Sequence, residues 1–242
     1  MKPCHCLMNG RYGPYILPDH LADWDALSMW ERERTESMEA HLRGDMILYD
    51  VGSEHGAQSV IYQSFCGPEN MVLIEPSATF WPNLRLIWEH NDLHAPLATV
   101  RGLIGDEYVL VERGSVTLGG WPSCADGVEQ PARAYAYIHD PGTSQGITQW
   151  RLDNLVPYIC VPPDAITIDI EGAELLALRG ARATLRIYRP LVWVSIHPDL
   201  MERDYGATPD ELHEYMTDLD YVGTHLATDH EEHWLFLPKE KP

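Results

Sequence analysis

Residues 163–199 read PDAITIDIEGAELLALRGARATLRIYRPLVWVSIHPD, and this stretch decides the fold. The runs 165–170 and 191–196 are short and continuously apolar, the pattern of strands covered on both faces. Between them, 173–188 places Leu175, Leu176, Leu178, Ala181 and Leu185 on one stripe. Glu171 and Glu174 open that helix and Arg182, Arg186 and Arg189 close it, in the sense that suits the helix dipole. Pro190 stops the helix. The result is a strand-helix-strand unit with parallel strands, and ligands of such sheets sit beyond the carboxyl ends of the strands. Asp169 and Glu171 end the first strand and His197 ends the second. Neighbouring strands lie about 4.8 Å apart, so Asp169 and His197 can reach each other or a shared ligand. Glu174 reads only as a favourable helix start, whereas the adjacent placement of Asp169 and His197, which a helix start and a turn at Pro198 do not require, points to function.

Outward from this unit, the same alternation recurs on the N-terminal side. Strands are expected at 46–51, 71–74 and 97–103, with helices at 56–65 and 79–91. An amphipathic helix at 24–42 leads into them from an irregular arm over residues 1–20, rich in Gly, Pro and Tyr. From 105 to 158 the helical period vanishes, which predicts an inserted hairpin and a long loop. On the C-terminal side, 209–219 is a helix, and 221–226 and 234–237 form a closing antiparallel pair. The expected architecture is α/β: a doubly wound, Rossmann-like sheet, mostly parallel, with an antiparallel C-terminal hairpin and an N-terminal helical arm. Residues 1–44 form the arm and helix, and 45–242 one domain carrying the 105–158 insertion.

With 242 residues, 45% of them hydrophobic, the chain can bury a full core. Its apolar runs fall short of a membrane span, and MKPCHCLMNGRYGPY has no basic segment followed by an apolar core, so a cytoplasmic protein with no membrane partner is expected. Five scattered cysteines fit reduced thiols, and Cys4-His5-Cys6 lacks a second ligand pair at finger spacing. Thirty-seven acidic against seventeen basic side chains give a formal charge of −20, which repels a phosphate backbone and disfavours nucleic acid. A small neutral or cationic ligand, or a neutral glycan, suits that field.

The turn Asp50-Val51-Gly52-Ser53-Glu54-His55-Gly56 follows a strand and opens a helix, the place for a nucleotide-like cofactor. It lacks the GxGxxG of a dinucleotide site and the GK[ST] of a phosphate cradle. Acidic residues at 50 and 54 disfavour pyrophosphate and favour a cation such as S-adenosylmethionine, with its amino group and sulfonium. Glu75, 25 residues after Asp50 at the end of the second strand, can accept both hydroxyls of a ribose. Asp106, after the third strand, can reach the adenine.

DVGSEHG, LIEPSATFWPNL, LIGDE, WRLDNL, ITIDIEGAELLALRGARATL and RPLVWVSIHPD, in this order over roughly positions 46–199, resemble the motifs of the FkbM family of S-adenosylmethionine-dependent methyltransferases. The IDIEGAELLALRGA segment is the most specific of them. The resemblance implies a class I methyltransferase fold and methylation of hydroxyls of sugars or natural products. Four positions depart from it: Ser53-Glu54 stand where Ala-Asn is usual, Thr167 where lysine is frequent, and Ser195 where glutamate is frequent. On this reading Asp50, Gly52, Ser53, Gly56, Glu75 and Asp106 bind the cofactor, and His197, oriented by Asp169, is the general base, with His139 and Asp140 in reserve. A second mechanism has Asp169 and Glu171, with His139 or His197, hold Mg²⁺ against the acceptor hydroxyl. A non-catalytic cofactor-binding or oligomerisation module is the reading from another class, and a homodimer is compatible with the N-terminal arm. A metal hydrolase built on His225, His230 and His233 is disfavoured, because those residues fall across the predicted hairpin.

Overall fold

The computed structural model describes residues 4–8, 12–18, 21, 31–110, 115–126 and 147–240. In chain order the elements are β1 (Cys4–Met8), β2 (Tyr12–Leu17), α1 (Arg32–His41), β3 (Leu48–Val51), α2 (Ser59–Cys66), β4 (Met71–Ile74), α3 (Trp81–His90), β5 (Ala98–Val100), β6 (Leu103–Ile104) and β7 (Val116–Leu118). They continue with β8 (Gln149–Trp150), α4 (Leu152–Ile159), β9 (Ala165–Ile168), α5 (Glu174–Gly180), α6 (Arg182–Ile187), β10 (Leu191–Ile196), α7 (Pro198–Tyr205), α8 (Pro209–Asp218), β11 (Tyr221–Thr228) and β12 (Glu232–Pro238).

One eight-stranded sheet runs β11-β12-β10-β9-β3-β4-β5-β7. The five inner strands from β10 to β5 are parallel, whereas β12 and β11 on one side and β7 on the other are antiparallel. From β3 the chain winds outward through β4 to β5, and from β9 it winds the opposite way to β10. The reversal lies between β3 and β9, which makes their carboxyl ends the crevice of a doubly wound sheet.

Strand residues alternate between two cores, as the two-residue period of a pleated strand requires. Tyr49, Val72, Ile166, Ile168, Val192 and Val194 face α4, α5, α6 and α8, where Leu155, Leu178, Leu185 and Leu212 meet them. Leu48, Met71, Leu73, Ala165 and Trp193 face the other way, onto Met38 of α1, Val60 of α2 and Trp81 and Leu84 of α3.

Several elements differ from expectation. The arm is not irregular: β1 and β2 pair antiparallel, Cys4 opposite Leu17, with Tyr12 and Leu17 buried. Residues 24–30 of the expected 24–42 helix lie outside the described residues, and α1 begins at Arg32. The 105–158 stretch contributes β7, which adds to the sheet edge beside β5, and also a helix, α4, where none was expected. Leu152, Leu155, Val156 and Ile159 of α4 hold the spacing of a buried helical stripe, hidden in the sequence by brevity and by Pro157. The 173–188 helix is broken into α5 and α6 at Ala181. A Cβ on Gly180 would stand 1.9 Å from the Gly105 carbonyl oxygen, so the incoming chain presses on the helix where only glycine admits it. Pro198 starts α7 and not merely a turn, the position at which a helix tolerates proline best. Among the described residues no helix is long and apolar enough to cross a membrane.

Candidate functional site

The turn after β3 is clamped to the end of β4. Gly52 N and Ser53 N both donate to the Ile74 carbonyl, at 2.9 and 3.1 Å. Ser53 Oγ accepts from Ile74 N at 3.1 Å and donates to the Asp50 carbonyl at 3.0 Å, so its hydroxyl serves the turn. Gly52 and Gly56 have φ of 94° and 84°, which favour glycine. A Cβ on Gly52 would lie 1.8 Å from the Asp169 carbonyl oxygen, and one on Gly56 would lie 2.6 Å from Leu84 Cδ2. The first contact presses the glycine turn against the end of β9, at the point where the sheet reverses.

Asp50 is buried, and its Oδ2 accepts from Ser59 Oγ at 2.5 Å. Burial pushes its carboxyl up to about 6, against the pull of Ser59. Glu75, 2% exposed at the end of β4, accepts from Glu54 N at 3.1 Å and Ser77 N at 2.7 Å. Burial nonetheless pushes it up to about 8. Glu54 is also pushed up to about 8, by burial and by the charge of Glu75. Asp50, Gly52, Ser53, Gly56 and Glu75 are thus gathered at the ends of β3 and β4. Asp106 stands beyond β6, against Gly180 of α5, and among the described residues makes no hydrogen bond to the other five.

At the ends of β9 and β10, His197 is encircled by carboxylates. Its Nδ1 lies 3.0 Å from Glu174 Oε1 and its Nε2 2.5 Å from Glu231 Oε2. Asp169 Oδ1 and Glu171 Oε2 lie further from Nε2, at 3.8 and 3.7 Å. Burial alone would lower the pKa, but the hydrogen bonds to Glu174 and Glu231 and the Asp169 charge push it up to about 12. His197 is therefore an imidazolium. The expectation of a neutral base near pH 6.5 oriented by Asp169 is corrected: both ring nitrogens donate, and Glu174 and Glu231 orient the ring. Glu174 is fully buried and also accepts from Gly172 N at 2.9 Å, so it does more than open a helix.

Glu231 was not among the expected site residues. It sits at the tip of the β11–β12 hairpin, and the antiparallel pairing of Ile196 with Glu232 brings that tip to the carboxyl end of β10. Arg34, from α1, is the second addition. Its Nη1 donates to Glu31 Oε2 at 2.7 Å, Asp169 Oδ2 at 2.9 Å and Ser195 Oγ at 2.7 Å, and its Nη2 donates to Thr167 Oγ1. The small side chains at 167 and 195, two of the positions noted as departures, are the partners of this guanidinium. Burial opposes ionisation of Asp169, but Arg34 and then His197 hold its carboxyl below the usual range. Ser195 Oγ also lies 3.0 Å from His233 Nδ1. Burial and Arg34 push His233 down to about 4, so it is neutral. His139 and Asp140 lie outside the described residues.

Among the described residues, two trios bring one donor atom each within 4.8 Å of one another: Asp169, His197 and Glu231, and Asp229, Glu231 and His233. Glu171, expected beside Asp169 as a metal ligand, borders the first of them through His197. Around the glycine turn the acidic side chains are Asp50, Glu54 and Glu75, with the His55 imidazole beside Glu54. That fits a ligand carrying an ammonium, a sulfonium and a ribose diol, as S-adenosylmethionine does, and opposes a pyrophosphate.

Residues 50–222 match the model of the methyltransferase FkbM domain. Among solved structures, the chain is similar to a methyltransferase FkbM from Methylobacillus flagellatus KT, with 16% identity and a TM-score of 0.52 over 94% of this chain and 64% of that one. It is also similar to a ribosomal protein L11 methylase from Lactobacillus delbrueckii subsp. bulgaricus, with 8% identity and a TM-score of 0.51 over 88% and 80% of the two chains. An rRNA methylase from Streptococcus thermophilus has 10% identity and a TM-score of 0.50 over 86% and 95%. These likenesses show the fold, that of class I methyltransferases, and the chain spans a little under two thirds of the Methylobacillus protein. No protein with a curated description matches it.

Proposed function

The chain belongs to the methyltransferase FkbM family, and from that premise we propose that it is an S-adenosylmethionine-dependent O-methyltransferase acting on a hydroxyl of a sugar, a glycan or a related small molecule. The observation that carries this reading is the contact of Gly52 with the Asp169 carbonyl. It sets the cofactor turn and the His197 cluster at one mouth, where a methyl donor and an acceptor can meet.

S-adenosylmethionine supplies a methyl group on a positive sulfur, which leaves as a neutral thioether. Glu75 accepts the ribose hydroxyls, Ser53 and the two glycines hold the turn open, and Glu54 and Asp169 favour the positive end. Asp169 and Glu171 are the more open carboxylates of the cluster, with side chains 26% and 30% exposed, so an acceptor hydroxyl meets them first. The proton that the hydroxyl must lose passes into the His197–Glu231 pair. Glu231, pushed up to about 7 by burial and the Asp169 charge, is poised to take it near neutral pH. Placement of the two reactants accounts for much of the remaining rate. The net charge of −20 supports a neutral acceptor over a nucleic acid.

A magnesium-assisted version would use Asp169, Glu171 and His197. The 2.5 Å separation of His197 Nε2 and Glu231 Oε2 suits a shared proton better than an ion between them. Turnover that added Mg²⁺ does not raise is the expected result.

The test pairs calorimetry with a transfer assay over a panel of neutral glycosides. Saturable binding of S-adenosylmethionine and S-adenosylhomocysteine is expected in the wild type and in His197→Ala, with turnover lowered by about 10²-fold or more in the variant. Full turnover in His197→Ala overturns the role of the cluster, and failure of the wild type to bind either nucleotide overturns the cofactor reading. Binding with no transfer to any acceptor favours the non-catalytic module.

A further inference from the structure

The second trio, at the tip of the β11–β12 hairpin, has no part in the chemistry above except through Glu231. His233 is fully buried, and its Nδ1 is held by Ser195 Oγ at 3.0 Å. Its Nε2 makes no hydrogen bond among the described residues, although two carboxylate oxygens lie near it, Asp229 Oδ1 at 3.4 Å and Glu231 Oε1 at 3.7 Å. When Nδ1–H donates to Ser195, the Nε2 lone pair faces oxygen lone pairs, an arrangement that a cation between them relieves. The spacing is that of a shared ion: two ligand atoms each about 2.1 Å from a tetrahedral metal stand about 3.4 Å apart. The His197 trio lacks this spacing, because its shortest nitrogen–oxygen pair is 2.5 Å apart and closes on a proton.

We propose that Asp229, Glu231 and His233 bind one divalent transition-metal ion at the hairpin tip. An imidazole with two carboxylates is a borderline donor set that takes Mn²⁺ or Zn²⁺ in preference to the all-oxygen shell of Mg²⁺. Asp229, with its side chain 39% exposed, provides the way in from solvent. His230, whose Nδ1 lies 2.8 Å from Asp229 Oδ1 and whose Nε2 lies 3.3 Å from Glu231 Oε1, is a neighbour that moves aside or joins as a fourth ligand. Ser195 is the outer partner that orients the His233 ring. Glu231 then joins two sites, with Oε1 on the ion and Oε2 on His197, so the ion pins the hairpin tip against the end of β10. The assignment does not depend on what the enzyme methylates.

Mn²⁺ is the probe, because free thiols such as the exposed Cys160 compete for Zn²⁺. Free Mn²⁺ is followed by electron paramagnetic resonance during titration of untagged protein, with Mg²⁺ as competitor and S-adenosylmethionine binding as the check on folding. One Mn²⁺ per chain is expected, poorly displaced by Mg²⁺. Asp229→Asn and His233→Gln should each weaken it by about tenfold or more, whereas Asp169→Asn should leave it in place. If His233→Gln fails to fold, the exposed Asp229→Asn decides alone. Absence of binding, binding indifferent to Asp229→Asn, or binding removed by Asp169→Asn overturns the assignment.

Discussion

The two faces of the sheet are built by the same strands and differ in kind. Toward α4, α5, α6 and α8 the parallel strands present apolar side chains, from Tyr49 and Val51 through Ile166 and Ile168 to Val194 and Ile196. Toward α1 and α2, alternate positions near the carboxyl ends of the parallel strands carry Asp50, Thr167, Asp169 and Ser195, and His233 joins them at the start of the antiparallel β12. The register aligns them, Asp50 opposite Thr167 and Ser195 opposite His233, and Arg34 lies across the row. The first face stabilises by burial, which is non-directional and tolerant. The second is a polar network in which each member needs its partner. Both faces bury an apolar core, and only the second adds a polar network near the strand ends.

The sharpest way to break this contrast is Arg34→Ala. It leaves the buried Glu31 and the partly exposed Asp169 without their cation, and removing one partner of a buried pair costs about 3–5 kcal/mol. On the opposite face Leu178→Ala removes a fully buried side chain at a cost of about 2–5 kcal/mol. Denaturant unfolding should show comparable losses, yet calorimetry should show S-adenosylmethionine binding and turnover impaired in Arg34→Ala alone. Equal functional loss in both variants would mean that the two faces are not separable.

A pH scan probes the polar face more finely. Glu75 is raised from 4.5 to about 8 in the folded state, so the folded protein binds the extra proton between those values. Its contribution to stability is fully present below about pH 4.5 and is lost as pH rises through about 8. The melting temperature of the cofactor-free protein should fall across that window, and Glu75→Gln should flatten the fall. An unchanged slope in the variant would assign the effect to another group.

The smallest effect is expected far from both faces. Thr208 caps α8 in a reciprocal capping box with Glu211, and Thr208→Ala should cost about 1 kcal/mol with methyl transfer untouched. A loss of transfer there would show the site coupled to the periphery.

Legibility in the sequence followed the reach of the interactions. The strands at 71–74 and 191–196 were readable to the residue, because a continuous apolar run between breakers is too short for a buried helix and too apolar for a surface loop. The break in the helix after Gly180 was not, since its cause is the backbone of Gly105, 75 residues earlier. Glu174 was readable as a helix start but not as a partner of His197, which depends on the height at which β10 ends beside α5. A signal for Glu231 exists: Asp229, Glu231 and His233 alternate across the hairpin whose second strand pairs with the strand ending at His197.

By itself the sequence determined the α/β architecture, the glycine turn with Glu75 in register, and the adjacency of Asp169 and His197, all of which follow from local periodicity and from strand order. Only the tertiary structure decided the electrostatics. Arg34 meets Asp169 across 135 positions of chain, and Glu231 meets His197 across a hairpin. Whether His197 is a base or an imidazolium, and whether His233 is a spectator or a ligand, depends on burial and on which charges lie within a few ångströms. Those are properties of the packed chain, and no period in the sequence carries them.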